Sequence, residues 1–291
     1  MAEDLVKIKR RIASISSTRK ITNAMELVSS AKLRKKKKMM ENVKDYTNII
    51  ESILLDLLTK LDEKGKFPLL KLTKINENAT NDLYVLVNSD LGLCGGYNYN
   101  LLKCLNEHIK EGDTVLFLGS HSINKIDPLK YVINTTEMKT VSNFDYRQAG
   151  HLSTLLEQVY LDGKYKNIFL VYTSYKNALT FVPTCEKILP LEKPTSHNVE
   201  KYDNSFEEKY LPNKEEVFEL LVPKYLNTIL FEKICEGLVS EEGERRNAMK
   251  GASDNADELL KNLSLKYNKA RQGQITSEIT EIVSGRINDN N

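Results

Sequence analysis

The pattern closest to a ligand site is a glycine-rich turn at residues 88–98, with Asn88, Ser89, Asp90, Gly92, Cys94, Gly95, Gly96 and Asn98 between a strand-like and a helix-like run. Open α/β folds place ligands at such turns. The glycines do not fall as G-x-G-x-x-G, no G-x-x-x-x-G-K-[ST] is present, and the next strand-like run ends in Gly119, Ser120 and His121 without an acid for a ribose. The turn therefore reads as a tight structural turn or a docking lip rather than a phosphate cradle. A small-molecule enzyme built on it stays as an alternative that calorimetry against nucleotides would expose. His108, His121, His151 and His197 stand singly, and no nucleophile sits beside a base in a recognisable signature. The paired acids Glu241 and Glu242 read as surface charge on a helix. Cys94, Cys104, Cys185 and Cys235 are widely spread, with no C-x-x-C and no histidine at ligand spacing, so they read as buried, reduced thiols. No catalytic group, metal site or cofactor is expected.

A dense basic run, residues 32–38, contains Lys32, Arg34, Lys35, Lys36, Lys37 and Lys38. Phosphate contacts would make the chain a coiled-coil nucleic-acid-binding protein. No aromatic residues interleave the run, and a solvated helix face or a face turned to an acidic protein ring are the other readings. Lys7, Lys9, Arg10, Arg11, Arg19 and Lys20 extend the basic character, and few local acids answer it, which points to a partner. Charge arguments must be local, because 28% of the 291 residues are charged yet the formal net charge is only +2.

The elements that must position these groups are unusual in length. Apolar residues at Leu5, Ile8, Ile12 and Ile15 alternate steps of three and four, the seam of a coiled coil. The phase shifts through Thr18 and Ile21, resumes at Met25 and Val28, and continues at Met39, Val43, Tyr46, Ile50, Ile53, Leu57 and Leu61, with no proline or glycine before Gly65. A helix over residues 4–60 would run roughly 85 Å at ~1.5 Å per residue and needs a partner along its length. That partner is read at the other end, where Ile229, Leu230, Ile234, Leu238, Leu259, Leu260, Leu263, Tyr267, Ile275, Ile279, Ile282 and Val283 recur. Between them Ala248, Ala252 and Ala256 favour close approach of two backbones, while Gly243, Gly251 and Gly273 each cost about 1 kcal/mol in a helix interior.

Between these ends, residues 83–87, 114–118, 131–133 and 168–172 read as strands, and 97–110 and 146–161 as helices, which implies an open, mainly parallel sheet covered by helices. Residues 179–182 and 185–189 would add an edge hairpin. The expected organisation is a coiled-coil helix over 1–62, a Rossmann-like α/β domain over 76–212 and a second coiled-coil helix over 213–291, the two helices antiparallel. No apolar run is long enough to cross a bilayer, and no h-region or transit segment is evident at the N-terminus, so a bacterial cytoplasm is the expected compartment.

Three regions together resemble the gamma subunit of rotary, F-type ATP synthases: residues 8–15 (IKRRIASI) with 18–28 (TRKITNAMELV), 89–98 (SDLGLCGGYN), and 247–256 (NAMKGASDNA) followed by 267–276 (YNKARQGQIT) and 278–283 (EITEIV). The match covers both ends and the middle domain in order. The resemblance implies an antiparallel coiled coil plus a Rossmann-like domain, a non-catalytic shaft that transmits torque between a membrane ion-driven rotor and a three-fold ring of alpha and beta subunits. Epsilon and the membrane c-ring would meet the globular part, on the cytoplasmic face of a bacterial cell membrane. Carried over residue by residue, Met25, Lys250, Arg271 and Gln272 resemble ring contacts. Lys7, Arg10 and Arg11 would line the upper shaft, and Asp90, Cys94 and Gly95 would form the lip near the lower ends of the beta subunits.

The chain departs from the family pattern at several places. Leu91 stands where the family has arginine, Arg246 where it has methionine, Gly243, Gly251 and Gly273 where it favours alanine, and residues 286–291 replace an alanine-rich ending. Retained ring contacts on a looser shaft are the expectation.

Overall fold

Alternation along the strands organises the middle of the chain. In the computed structural model, which describes residues 2–62, 72, 75–121, 124, 132–134, 140–191, 210, 211 and 213–288, five strands form one sheet. They are β1 (Leu83–Val87), β2 (Thr114–Leu118), β3 (Val132–Asn134), β4 (Ile168–Tyr175) and β5 (Phe181–Leu189), in the order β3-β2-β1-β4-β5. β1 to β4 run parallel and β5 returns antiparallel to β4. Leu83, Val85 and Val87 face one core with Leu116, Leu118, Ile168 and Leu170, while Tyr84 and Leu86 face the other with Val115, Phe117 and Val171. Burial on both faces is why these strands read as continuous apolar runs. The expected hairpin of 179–182 with 185–189 is corrected: residues 181–189 form one long strand, and the hairpin is β4 with β5 across a turn at Asn177–Thr180, where Asn177 Oδ1 accepts from the amides of Leu179 and Thr180 at 2.9 Å each.

Among the described residues, four helices accompany the sheet: α1 (Ala2–Asp62), α2 (Tyr97–Asn106), α3 (Tyr146–Leu161) and α4 (Lys214–Asn288). Local chemistry sets their starts. Asp145 and Gln148 form a reciprocal capping box at α3. At α4, Asn213 Oδ1 accepts from the amide of Glu216 at 2.8 Å, and Asn213 Nδ2 donates to the Glu216 carboxylate at 2.7 Å. Pro223 lies inside α4 rather than at its start. Phe218, Val222, Tyr225 and Leu226 bury the apolar face on both sides of it, which offsets the lost helix bond.

The chain divides into two compact units, Met1–Ser30 with Arg245–Asn291, and Ala31–Glu244. In the second, Ile50, Leu54 and Leu57 of α1 and Phe218, Leu226, Leu230, Ile234 and Leu238 of α4 share one core with α3 and one face of the sheet; α2 covers the other face. The helices run antiparallel here: Lys36 pairs with Glu242, Glu51 accepts from Tyr225 and Asp56 accepts from Tyr210, so the partner number falls as the first rises. The first unit shows the same sense, Arg19 with Asp257 and Thr22 with Ser253, the two hydroxyl oxygens 2.7 Å apart.

The seam of α1 departs from the apolar reading. Ile21 is 58% exposed, and Val28, Tyr46 and Ile53 also face outward, while Thr22, Ser29, Leu33 and Thr47 are buried instead. Small hydroxyl residues permit close helix approach and satisfy themselves on the helix backbone, as Thr22 does on Arg19 O at 3.1 Å and Thr47 on Val43 O at 3.0 Å.

The three glycines of α4 separate by environment. A Cβ at Gly243 would lie 2.7 Å from two ring carbons of Phe181, so this glycine seats the start of β5. Gly251 and Gly273 meet nothing within 4 Å. Gly251→Ala and Gly273→Ala are each expected to raise the stability of the isolated chain by about 1 kcal/mol in chemical denaturation, from helix propensity alone. Gly243→Ala is expected to give no such gain until Phe181 is trimmed to Leu.

Candidate functional site

The turn at residues 88–98 is held together from within. Asn98, in the first turn of α2, accepts at Oδ1 from the Ser89 amide at 3.2 Å and from Ser89 Oγ at 3.0 Å. Its Nδ2 lies 3.2 Å from Cys94 Sγ and 3.2 Å from His121 Nδ1. His121 is thereby an internal post of the turn, its amide also donating to Ser89 O at 3.1 Å. Leu93 and Gly95 adopt positive φ, 61° and 59°, which folds the Cys94 side chain inward to 2% exposure. Of the expected lip residues, Gly95 is exposed at the turn and the Cys94 side chain packs within it, in line with the reading of the cysteines as buried thiols. Asp90 anchors a second loop, accepting from the amides of Val141 and Ser142 and from the Ser142 hydroxyl. What the turn presents outward is apolar: Leu91 is 67% exposed, and Leu93 and Tyr99 are exposed beside it.

A ligand crevice in such a sheet lies at the carboxyl ends of the strands where the chain order reverses, here between β1 and β4. That crevice is closed by α4. Glu236 accepts from Ser174 Oγ at 2.7 Å and from the Tyr175 amide at 2.8 Å. Ser240 Oγ donates to Thr173 O at 2.9 Å. Gly237 lies so near that a Cβ there would come within 3.3 Å of Val87 Cγ1, 3.6 Å of the Tyr97 hydroxyl and 3.8 Å of Tyr172 Cβ. Burial raises the pKa of Glu244, and the Gly96 backbone near the start of α2 opposes the rise. The chain's own helix thus occupies the switch point, against the small-molecule enzyme reading.

Acids and bases line the rest of this interface. Glu241 and Glu242, read from sequence as surface charge, are 4% and 3% exposed, a correction that follows from the approach of α1. Glu242 answers the basic run: Lys36 Nζ lies 3.6 Å and Lys32 Nζ 3.8 Å from its Oε1. Lys37 lies 3.8 Å from Glu41 and over the Tyr175 ring. Part of residues 32–38 thus meets an acid inside the chain, one remote in sequence, while few local acids answer the run. Sequence distance hid this pairing, since Lys36 and Glu242 belong to opposite ends of the chain.

Glu232 is half-buried on the same helix. Burial raises its pKa, Glu51 and Glu236 add to the rise, and the Thr47 hydroxyl and Lys233 oppose it. A carboxyl with a raised folded pKa supplies stability that is full below its usual value of 4.5 and is lost as pH rises. Glu232→Gln is therefore expected to stabilise the isolated chain at neutral pH, with the gain disappearing as denaturation is measured toward pH 4.5 and below. The thiols of Cys185 and Cys235 are each pushed up to about 12 by burial, and Cys104 is raised by burial too, so none is an activated nucleophile. All four cysteines are free, Cys94 and Cys235 buried and Cys104 and Cys185 partly so. His108 faces Cys104 O at 2.8 Å and His151 is exposed on α3, while His197 lies outside the described residues.

The remaining predicted residues belong to the other unit. Lys7, Arg10 and Arg11 on α1, and Lys250, Arg271 and Gln272 on α4, are exposed, and Met25 is half-buried. Val6, Ile21, Leu27 and Val28 on α1 and Leu259, Leu265, Ile275 and Ile279 on α4 are exposed apolar side chains in the same unit.

The profile of a family described as ATP synthase matches residues 4–286. A protein named ATP synthase gamma chain from Mycoplasma mobile is 37% identical over 287 residues, 98% of each chain. One of the same name from Alkaliphilus metalliredigens is 34% identical over 289 residues, again 98% of each. The fold is similar to a chain of the Tetrahymena thermophila mitochondrial ATP synthase central stalk and c-ring, with a TM-score of 0.53 and 21% identity over 80% of this chain and 99% of that one. A chain of the Euglena gracilis mitochondrial ATP synthase gives a TM-score of 0.52 and 19% identity over 88% and 93%.

Proposed function

The chain belongs to the ATP synthase gamma chain family, and on that premise we propose how its two units divide the work of a rotor. It is the central shaft of a rotary ATP synthase, a non-catalytic subunit of that complex that transmits torque to the nucleotide sites of other subunits. The observation that carries the reading for this chain is the closure of its own ligand crevice by α4, with Glu236 on the Tyr175 amide and Ser240 on the Thr173 carbonyl. A sheet so closed serves as a mount, not a nucleotide site. The exposed apolar and basic side chains of the first unit are the surface that meets a ring of alpha and beta subunits. Lys7, Arg10 and Arg11 line the upper shaft, and Met25, Lys250, Arg271 and Gln272 touch the ring.

An asymmetric shaft offers each ring subunit a different face as it turns, so each nucleotide site is biased in sequence toward open or closed by differential contacts. Asp90, Cys94 and Gly95 act at the lip near the beta subunits, Asp90 and Cys94 as the frame that aims the exposed Leu91 and Leu93. Epsilon and the membrane c-ring engage the α/β unit. The complex works at the cytoplasmic face of a bacterial cell membrane, and among the described residues no helix is long and apolar enough to cross it.

Reconstitution with alpha and beta subunits tests this. The chain is expected to co-purify with them and to be required for sustained ATP turnover. Arg271→Ala with Gln272→Ala is expected to lower that turnover about tenfold, the scale of truncating central interface contacts. Full turnover in the absence of the chain would contradict the proposal.

A further inference from the structure

We propose that Leu91 and Leu93, presented by the turn after β1, form an apolar knob that seats in an uncharged pocket at the lower end of a beta subunit, a contact that rests on the rotor reading and names the chemistry of its lip. Both side chains are displayed to solvent, at 67% and 61% exposure, and Tyr99 in the first turn of α2 is exposed with them. Neither leucine enters the core on either face of the sheet, although Cys94, Tyr97, Asn98 and Leu101 of the same stretch are buried. The turn sorts its side chains, and these two leucines lie on its outer side.

The backbone is strained in doing so. Leu93 has φ of 61° and is, among the described residues, the one residue other than glycine with positive φ. A leucine there crowds its Cβ against the next carbonyl oxygen, whereas glycine adopts the conformation freely. Such strain persists only where the surroundings over-determine it. Here they do: Asn98 Oδ1 accepts from the Ser89 amide and hydroxyl, Asn98 Nδ2 lies against Cys94 Sγ, and Asp90 ties the turn to Val141 and Ser142. The knob is rigid before a partner arrives, which lowers the ordering cost of docking.

Charge selects the occupant. From Leu91 to Leu102 twelve residues pass without a charged side chain, in a chain that is 28% charged. The carboxylate that precedes them, Asp90, is turned onto the amides of Val141 and Ser142. A partner that set a lysine or a carboxylate against these leucines would strip its hydration with nothing in return, so the complementary surface is aliphatic or aromatic. Two leucines and a tyrosine are too few to supply the ~800 Å² per partner that a stable dimer buries, which argues against a second copy of this chain meeting on the patch alone. They have the scale of an anchor within a wider contact, as a lip against a ring requires.

The test measures binding of the full chain to reconstituted alpha and beta subunits, with the thermal midpoint of each variant alongside. Leu93→Gly removes half of the knob and relieves the strain, so its midpoint is expected to be no lower than that of the unsubstituted chain while its affinity for the ring falls about tenfold. Leu91→Asp, which carries a charge into the pocket, is expected to weaken binding at least as much. Leu91→Met keeps an apolar side chain of similar volume and should bind as the unsubstituted chain does. The loss in Leu93→Gly should be equal in low and high salt, because no ion pair is removed. Ring affinity unchanged in either Leu93→Gly or Leu91→Asp, or a loss that vanishes at high salt, would overturn the knob while the rotor reading stands. A midpoint lowered by Leu93→Gly would mark the leucine as structural and overturn it as well. So would binding to phosphatidylcholine vesicles that Leu93→Gly abolishes without loss of ring affinity, which would make a bilayer the occupant. Failure of the unsubstituted chain to bind the ring would overturn both readings.

Discussion

Gly119→Ala is expected to destabilise the isolated chain by roughly 3 kcal/mol or more. Gly119 follows β2 with φ of 99°, a conformation that L side chains rarely adopt. A Cβ there would lie 2.3 Å from Asn88 O and 2.7 Å from its carbonyl carbon, a clash with backbone that no rotamer relieves. The strained dihedral and the displaced strand end together amount to roughly 3 kcal/mol or more, a large share of the ~5–15 kcal/mol that holds a domain together. Circular dichroism and solubility of the variant would report the loss, with Gly251→Ala as the exposed control.

Asn98→Ala is expected to cost about 3 kcal/mol. It would leave the buried Ser89 amide without the acceptor it has at 3.2 Å and would withdraw the donor shared by Cys94 and His121. Asn98→Asp keeps an acceptor for Ser89 but loses that donor, so it should fall between the alanine variant and the unaltered chain. Thermal melts would rank the three. Proteolysis confined to residues 88–98 would show that the loosened part is the turn itself.

The strands and helices of the middle domain were legible because burial on both sheet faces leaves apolar runs, as in Leu83–Val87 and Thr114–Leu118, and because α3 carries its capping box in adjacent residues. The seam of α1 was legible only in part. Thr22, Ser29 and Thr47 are polar by composition yet buried, Thr22 and Thr47 bonded to their own helix and Thr22 also to Ser253, so a search for apolar periodicity passes over them and selects the exposed Ile21, Val28 and Tyr46. Burial of Glu241 and Glu242 was not legible at all. Part of what justifies it, the amino groups of Lys32 and Lys36 facing Glu242, lies at the other end of the sequence. Gly243 looked like a helix weakness for the same reason: its partner Phe181 is remote in sequence. Closure of the crevice was equally hidden, since Glu236, Gly237 and Ser240 resemble any helical stretch until the ends of β1 and β4 are placed against them.

These pieces meet in one mechanical claim, that the α/β unit is a mount turned by the membrane rotor and that α4 carries the motion into the ring. Its most direct test is observation of a probe attached at exposed Lys103 on α2 while an immobilised ring, assembled with this chain, hydrolyses ATP. Unidirectional, stepwise rotation of the probe is the expected result. A probe that stays still while ATP is consumed at the full rate would contradict the account.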